Sequence, residues 1–206
     1  MPSLPEDSPD AAAEADGPRR RLPPEERREQ IIDAAVRFFA DVGLDGNTRD
    51  LAKRLGVTQS LIFRYFDSKQ DLIEAVYGRV YLDRISPGWA ALLRDRSRPV
   101  KERMTTFYRE YGERIFDHDW MRIFMFSGLA GADLNRRYLD HLGRTLLLPM
   151  LDEIEAELGF APSPEDLWNL HGGIVYIGIR KHIYQMPVPD DPYPGIERAI
   201  DRFLRV

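Results

Sequence analysis

The sequence predicts an all-α protein, and three observations carry that prediction. Apolar residues recur at three- and four-residue spacings, capping residues and glycines stand where helices would start and stop, and no alternating strand pattern, hairpin signal or internal repeat is present. The expected architecture is a three-helix unit containing a helix-turn-helix, followed by a larger helical bundle, about nine helices in all.

Residues 1–24 hold six of the fifteen prolines and no aromatic residue. Such a segment cannot bury enough surface to offset its ordering entropy, so it is expected to be a disordered arm. Its first eighteen residues carry five acids and no base, and Arg19, Arg20 and Arg21 follow as a basic cluster. That cluster reads either as solvated linker or as an arm for phosphate or the minor groove. From Arg27 to Val42 the residues Ile31, Ala35, Phe38 and Val42 fall on one helical face, and Gly43 stops the helix. A short second helix begins near Asn47 or Thr48, turns Leu51, Ala52 and Leu55 inward and breaks at Gly56. Thr58 offers the N-cap of a third helix through Phe66. Ser68, with Asp71 three residues on, resembles a capping box for a fourth helix that carries Leu72, Ile73, Val76, Val80 and Tyr81 to about Ser86.

Beyond Ser86-Pro87-Gly88 the helical segments lengthen. Pro99 starts one with Met104, Phe107, Tyr108 and Tyr111 on its apolar side, and Asp119 caps another with Trp120, Ile123, Phe124 and Leu129. Leu134 to Leu158 reads as one long helix that Pro149 should kink or break. Ser163-Pro164-Glu165-Asp166 is the best helix start in the chain, opening a helix to about Tyr184. After the turn from Pro187 to Pro194, a last amphipathic helix of about Tyr193 to Arg205 shows Ile196, Ala199, Ile200, Phe203 and Leu204.

Composition narrows the class. With 206 residues, 43% hydrophobic and 31% charged, the chain can build a sizeable core, which excludes disorder of the whole. The absence of cysteine removes disulfide scaffolds, thiol catalysis and cysteinyl metal sites, and suits a reducing cytoplasm. No stretch approaches the ~18 apolar residues of a membrane span, and the acidic N-terminus is unlike a secretory signal; a soluble, cytoplasmic protein is expected. The formal charge of −5 at first speaks against nucleic acid. Residues 1–18 account for −5 by themselves, however, whereas residues 19–80 hold twelve bases against ten acids.

The segment Thr48 to Asp67, TRDLAKRLGVTQSLIFRYFD, has helix-turn-helix spacing. Small Ala52 lets two helices cross closely, Gly56 relieves the turn, and Val57 and Ile62 close the core from the other side. The second helix then projects Thr58, Gln59, Ser60, Arg64 and Tyr65, side chains suited to base edges and phosphates. An ordinary helical hairpin shares that spacing, and the flanks separate the two. Phe38-Phe39-Ala40-Asp41-Val42-Gly43 precedes, and Phe63-Arg64-Tyr65-Phe66-Asp67-Ser68-Lys69-Gln70-Asp71-Leu72 follows.

With these flanks, Ile31 through Leu72 resembles the DNA-binding domain of the TetR family of bacterial transcriptional regulators. The resemblance implies a DNA-binding domain over residues 25–80 and a ligand-binding and dimerisation domain over 81–206. It implies that Thr58, Gln59 and Ser60 enter the major groove, that Arg64 and Tyr65 contact backbone or bases, and that Lys69 meets a phosphate. Thr48, with Arg49 beside it, matches the family's phosphate-holding hydroxyl. Phe63 stands where the family usually has tyrosine and keeps only the ability to touch a thymine methyl. The implied partners are double-stranded operator DNA, a second copy of the chain and a small-molecule effector, with no membrane and no cofactor. The implied function is a sequence-specific regulator, most often a repressor, acting as a homodimer on a pseudo-palindromic operator.

For the effector, residues 107–126 contain seven of the 22 aromatic residues. Phe107, Tyr111, Trp120, Phe124 and His171 are candidate pocket residues, with Arg122 and His171 as polar groups if they face inward; the same spacing also describes plain core. For the dimer, Leu167, Leu170, Ile174 and Ile177 form one stripe, joined by Ile196, Ile200 and Phe203 of the last helix, and intrachain packing explains the same residues. No catalytic or metal site is expected: the four histidines form no zincin pattern, and there is neither a Gly-x-Ser-x-Gly turn nor a phosphate loop. A helical small-molecule-binding enzyme or adaptor that does not bind DNA is the alternative reading.

Overall fold

The computed structural model describes residues 22–131 and 133–205, and no strand occurs among them. Nearly all of the predicted arm, including Arg19, Arg20 and Arg21, lies outside the described residues.

Helix α1 (Pro24–Val42) begins three residues before its predicted start, because Pro24 stands at the first helical position with Glu25 and Glu26 behind it in the first turn. It buries Ile31, Ile32, Ala35, Phe38 and Phe39. Val42, expected on that face, is exposed at the helix end. Helix α2 (Thr48–Leu55) is capped by the Asn47 side chain, which accepts the Asp50 N–H at 2.9 Å. Helix α3 (Gln59–Ile62) is shorter than predicted, and the chain continues through tight turns in which the Phe66 N–H still reaches the Ile62 carbonyl. Helix α4 (Lys69–Val80) starts at Ser68, whose hydroxyl accepts the Asp71 N–H at 3.1 Å. It ends at Val80 in a single 3-10 turn, short of Ser86.

The bundle opens with α5 (Trp89–Arg94), a short helix that the periodicity did not reveal. Helix α6 (Val100–Ile115) follows Pro99 as expected. Helix α7 (His118–Leu129) is capped by Asp117, which accepts the Trp120 N–H at 2.8 Å, rather than by Asp119. Leu129 at its end is exposed, contrary to its predicted place on the apolar face. Helix α8 (Asp133–Leu142) passes through a π-helical segment (Gly143–Leu147) into α9 (Leu148–Leu158), making one continuous rod. Pro149 has no N–H to give its turn and its ring crowds the preceding one; the wider π turns just before it accommodate both, and of the expected kink or break the helix shows no break. Helix α10 (Pro164–His182) has the complete Ser163/Asp166 capping box, and α11 (Tyr193–Leu204) closes the chain. Counting the rod once and setting aside six-residue α5, the described residues form nine helices.

One apolar core runs through both parts, because α1 packs on α4 and also on α7. Each large aliphatic or aromatic side chain fully withdrawn from water contributes on the order of 2 kcal/mol. The shared core therefore makes any tilt of α7 felt by α1.

Candidate nucleic-acid interface

Gly56 ends α2 at φ 67°, in the left-handed region, with its N–H returned to the Ala52 and Lys53 carbonyls. A side chain would be strained there, so glycine makes the sharp turn possible. The chain reverses through Val57 and Thr58, and α3 crosses α2 with Ile62 buried in the core that Leu51 and Ala52 share. Ile62 thereby fixes which residues of this short helix face outward.

The polar residues at the crossing hold one another. Gln59 Nε2 donates to Thr48 Oγ1 at 2.7 Å, joining the first residues of α3 and α2. Thr58 Oγ1 accepts the Leu61 N–H at 3.3 Å and lies 3.0 Å from Ser60 Oγ. Thr48 is buried and Gln59 half-buried, so a phosphate-holding hydroxyl and a base-reading amide, assigned separately from the resemblance, meet each other in the structure. Arg49, Thr58, Ser60, Phe63 and Arg64 are exposed, whereas Tyr65 packs half-buried against the core and Lys69 stands half-buried at the start of α4. Phe63 leaves an apolar ring 40% exposed. Nearby Arg54 is engaged, paired with Asp41 at 2.6 Å and lying over the Phe38 ring. The surface therefore offers hydroxyls, one ring and cationic groups on a firmly held helix pair, which is the chemistry for groove edges and phosphates.

Residues 31–76 match the family model of the bacterial regulatory proteins of the tetR family. The chain carries a TetR-family DNA-binding domain. Over 133 residues it is 27% identical to the transcriptional repressor KstR2 of Mycolicibacterium smegmatis, covering 64% of this chain and 58% of that protein. Over 72 residues it is 36% identical to the transcriptional regulator BetI of Burkholderia thailandensis, covering 34% of this chain and 35% of the relative. The chain thus spans less than two thirds of either relative's length. Among solved structures, AmtR from Mycobacterium smegmatis superposes with a TM-score of 0.67 at 19% identity, covering 95% of this chain and 90% of the other. The fatty acid degradation regulator FadR from Bacillus halodurans gives 0.66 at 18%, covering 90% and 97%. At these identities the likeness is one of fold.

The TetR-type domain is bolted to the bundle at three places. Arg122 of α7 donates from Nε to the Ala40 carbonyl at 2.5 Å and from Nη2 to the Asp41 carbonyl at 3.3 Å. It faces the C-terminal end of α1, where carbonyls lack helical partners and a cation is favoured, and so does not line a pocket. Phe126, under the Arg122 guanidinium, packs on Gly43, which has φ 85°. Glu74 of α4 accepts from Arg137 of α8 at 2.9 Å; within the domain itself, Arg79 ties α4 to Asp33 of α1 at 2.5 Å. The sequence alone concealed the role of Arg122, because a cation beside an aromatic stripe carries no label for the helix end that it will meet.

The predicted pocket residues are brought together, as a packed aromatic cluster. Trp120 stacks on Phe124 at 5.0 Å, Phe107 on Tyr111 at 5.6 Å, and the Tyr111 and His171 rings lie 5.2 Å apart. The Tyr111 hydroxyl lies 3.0 Å from that of Tyr138 and 3.4 Å from His171 Nε2. Burial pushes the His171 pKa down to about 4, so the ring is neutral at pH 7.

The residues of the predicted dimer stripe are largely covered within the single chain. Leu167, Leu170, Ile174, Ile196 and Ile200 are buried within the single chain, and Ile177 and Phe203 are half-buried. Helical periodicity marks the face that leaves water, and here α6, α7 and α11 cover that face of α10. The outward side of α10 instead shows Asn169, Gly172, Gly173 and Tyr176, with Tyr184 and Met186 beyond it.

Proposed function

We propose that this protein is a ligand-responsive transcriptional regulator that binds operator DNA as a homodimer, by default as a repressor. Residues 25–80 read DNA, and residues 81–206 bind the effector and a second copy. The observation that carries this reading is the Gln59–Thr48 bond, which holds α3 on α2 with Ser60, Phe63 and Arg64 turned to solvent. Ser60 and Arg64 meet base edges or backbone, Phe63 a thymine methyl, and Arg49 and Lys69 phosphates. Thr48 and Gln59 set the angle of the recognition helix, and Thr58 caps it.

Two copies meet across the outward side of α10, where Gly172 and Gly173 permit close helix approach, and present two recognition helices about 34 Å apart. The effector enters the aromatic cluster of Phe107, Tyr111, Trp120, Phe124 and His171. Because Arg122 lies on α7 between Trp120 and Phe124, displacement of those rings shifts the end of α1 and changes the spacing of the two reading heads. Operator affinity then falls by the ratio of effector affinities for the two arrangements. A gel-shift with the DNA upstream of the protein's own gene tests the reading. A specific complex at moderate salt is expected, and its absence would defeat the proposal.

A further inference from the structure

Besides the Tyr81 hydroxyl, beside Trp120, two buried polar atoms of the aromatic cluster have no partner among the described residues: the Tyr108 hydroxyl and Nδ1 of His171. Their rings are neighbours, with centroids 6.1 Å apart. His171 also ends a relay in which the Tyr138 and Tyr111 hydroxyls and His171 Nε2 follow one another at 3.0 and 3.4 Å. An unpartnered polar atom in a core costs roughly 1–3 kcal/mol, so an empty end to such a relay calls for a group that completes it. The helical rod is irregular beside it. Gly143 opens the π segment so close to α10 that a Cβ there would come within 3.2 Å of the Trp168 ring, and Trp168, half-buried, lies 5.7 Å from His171. π segments recur at binding sites because they break the regular ladder.

Among the described residues no cation or carboxylate acts on Tyr108 or His171; burial displaces both. The buried cation of α6, Arg103, is taken up by Glu153, Glu157 and the Leu93 carbonyl. We infer that the Tyr108–His171 end of the cluster is the effector site, and that it takes an uncharged, ring-bearing molecule with a hydroxyl or carbonyl oxygen. The inference rests on the ligand-responsive reading above. The rings supply stacking faces, and a hydroxyl oxygen can answer either tautomer of His171 while accepting from Tyr108. A carboxylate would bring a charge into this core with no cation among the described residues to pair it, a desolvation that two neutral donors offset only in part.

Isothermal titration calorimetry of the full chain at pH 7.5 with 2-naphthol, naphthalene and 2-naphthoate tests this. One saturable 2-naphthol site per chain is expected, with 2-naphthoate at least a hundredfold weaker and naphthalene about tenfold weaker. Tyr108→Phe and His171→Phe should each weaken 2-naphthol about tenfold, the loss of one hydrogen bond. The inference is overturned if 2-naphthol does not saturate, if 2-naphthoate binds as well, or if both variants bind 2-naphthol like the parent. It is equally overturned if the variants melt higher and no probe binds, since the cluster would then hold only water or packing. Anisotropy with upstream DNA, measured without probe, keeps the two readings apart. Retained DNA binding with failed probes sinks the effector class alone, whereas lost DNA binding sinks the regulator.

Discussion

The Gln59 amide donates to the Thr48 hydroxyl across 2.7 Å, so the first residue of the recognition helix is held by the first residue of the helix beneath it. Thr48 is buried and Gln59 half-buried, which shields the bond from water. In the proposed reading, the angle at which α3 would meet DNA is therefore set beforehand, and less ordering remains to be done on binding.

Removal of either partner should act through the other. Thr48→Val and Gln59→Ala are each expected to weaken specific DNA binding, while the double variant is little worse than either single one. A double-mutant cycle on operator affinity should show a coupling of about 1 kcal/mol. Strict additivity would place Gln59 on a base edge independently of Thr48.

Lys69 and Ser60 should separate by salt dependence and by sequence preference. Lys69→Ala is expected to weaken all duplexes alike and to reduce the slope of log affinity against log salt by about one. Ser60→Ala should leave the slope alone and relax discrimination at one or two base pairs. Equal effects on both quantities in both variants would contradict the assigned contacts.

Arg122→Ala should loosen the joint between the two parts. The variant loses two hydrogen bonds to the carbonyl end of α1, together with their favourable helix-end charge, for roughly 1–3 kcal/mol of stability in urea denaturation. It should keep a specific DNA complex whose affinity no longer responds to an effector that binds the bundle. Full retention of the response would remove Arg122 from the coupling path.

His171 makes stability depend on pH in a defined window. Its folded pKa is about 4 against an ordinary 6.5, so between these values the unfolded chain binds a proton that the folded chain refuses. Stability is full above pH 6.5 and falls as pH drops towards 4, with a slope approaching about 1.4 kcal/mol per unit. The difference between parent and His171→Phe in chemical denaturation should show this slope between pH 4 and 6.5, and none above it. A flat difference across the window would mean that the ring is solvated.

Helix starts were legible because capping is local chemistry. Asn47, Thr58 and Ser163 each cap the helix expected, and Gly43 and Gly56 each stop one. Helix α5 was not legible, since six residues are too few to display a period. Arg103 was missed as well: it occupies an apolar stripe between Val100 and Met104, and only the pair Glu153 and Glu157, one turn apart on α9, hinted that a cation would be buried there. The helix-turn-helix register foretold that Thr58, Ser60 and Arg64 face solvent, yet not that Gln59 and Tyr65 are half-buried nor that Gln59 bonds Thr48, because register orders helices without aiming their side chains. The stripe on α10 was legible only as a face that leaves water, for a related reason. Leu167, Leu170 and Ile174 announce burial, and the sequence does not say which helix buries them.

The most direct test of the central claim is fluorescence anisotropy of the full chain with a labelled duplex from immediately upstream of its own gene, and with a scrambled duplex of the same composition, across a salt series. The account predicts a saturable complex with the upstream duplex, on the order of a thousandfold tighter than with the scrambled one, and an affinity that falls linearly with log salt. Equal affinity for both duplexes, or no binding to either at moderate salt, would contradict it.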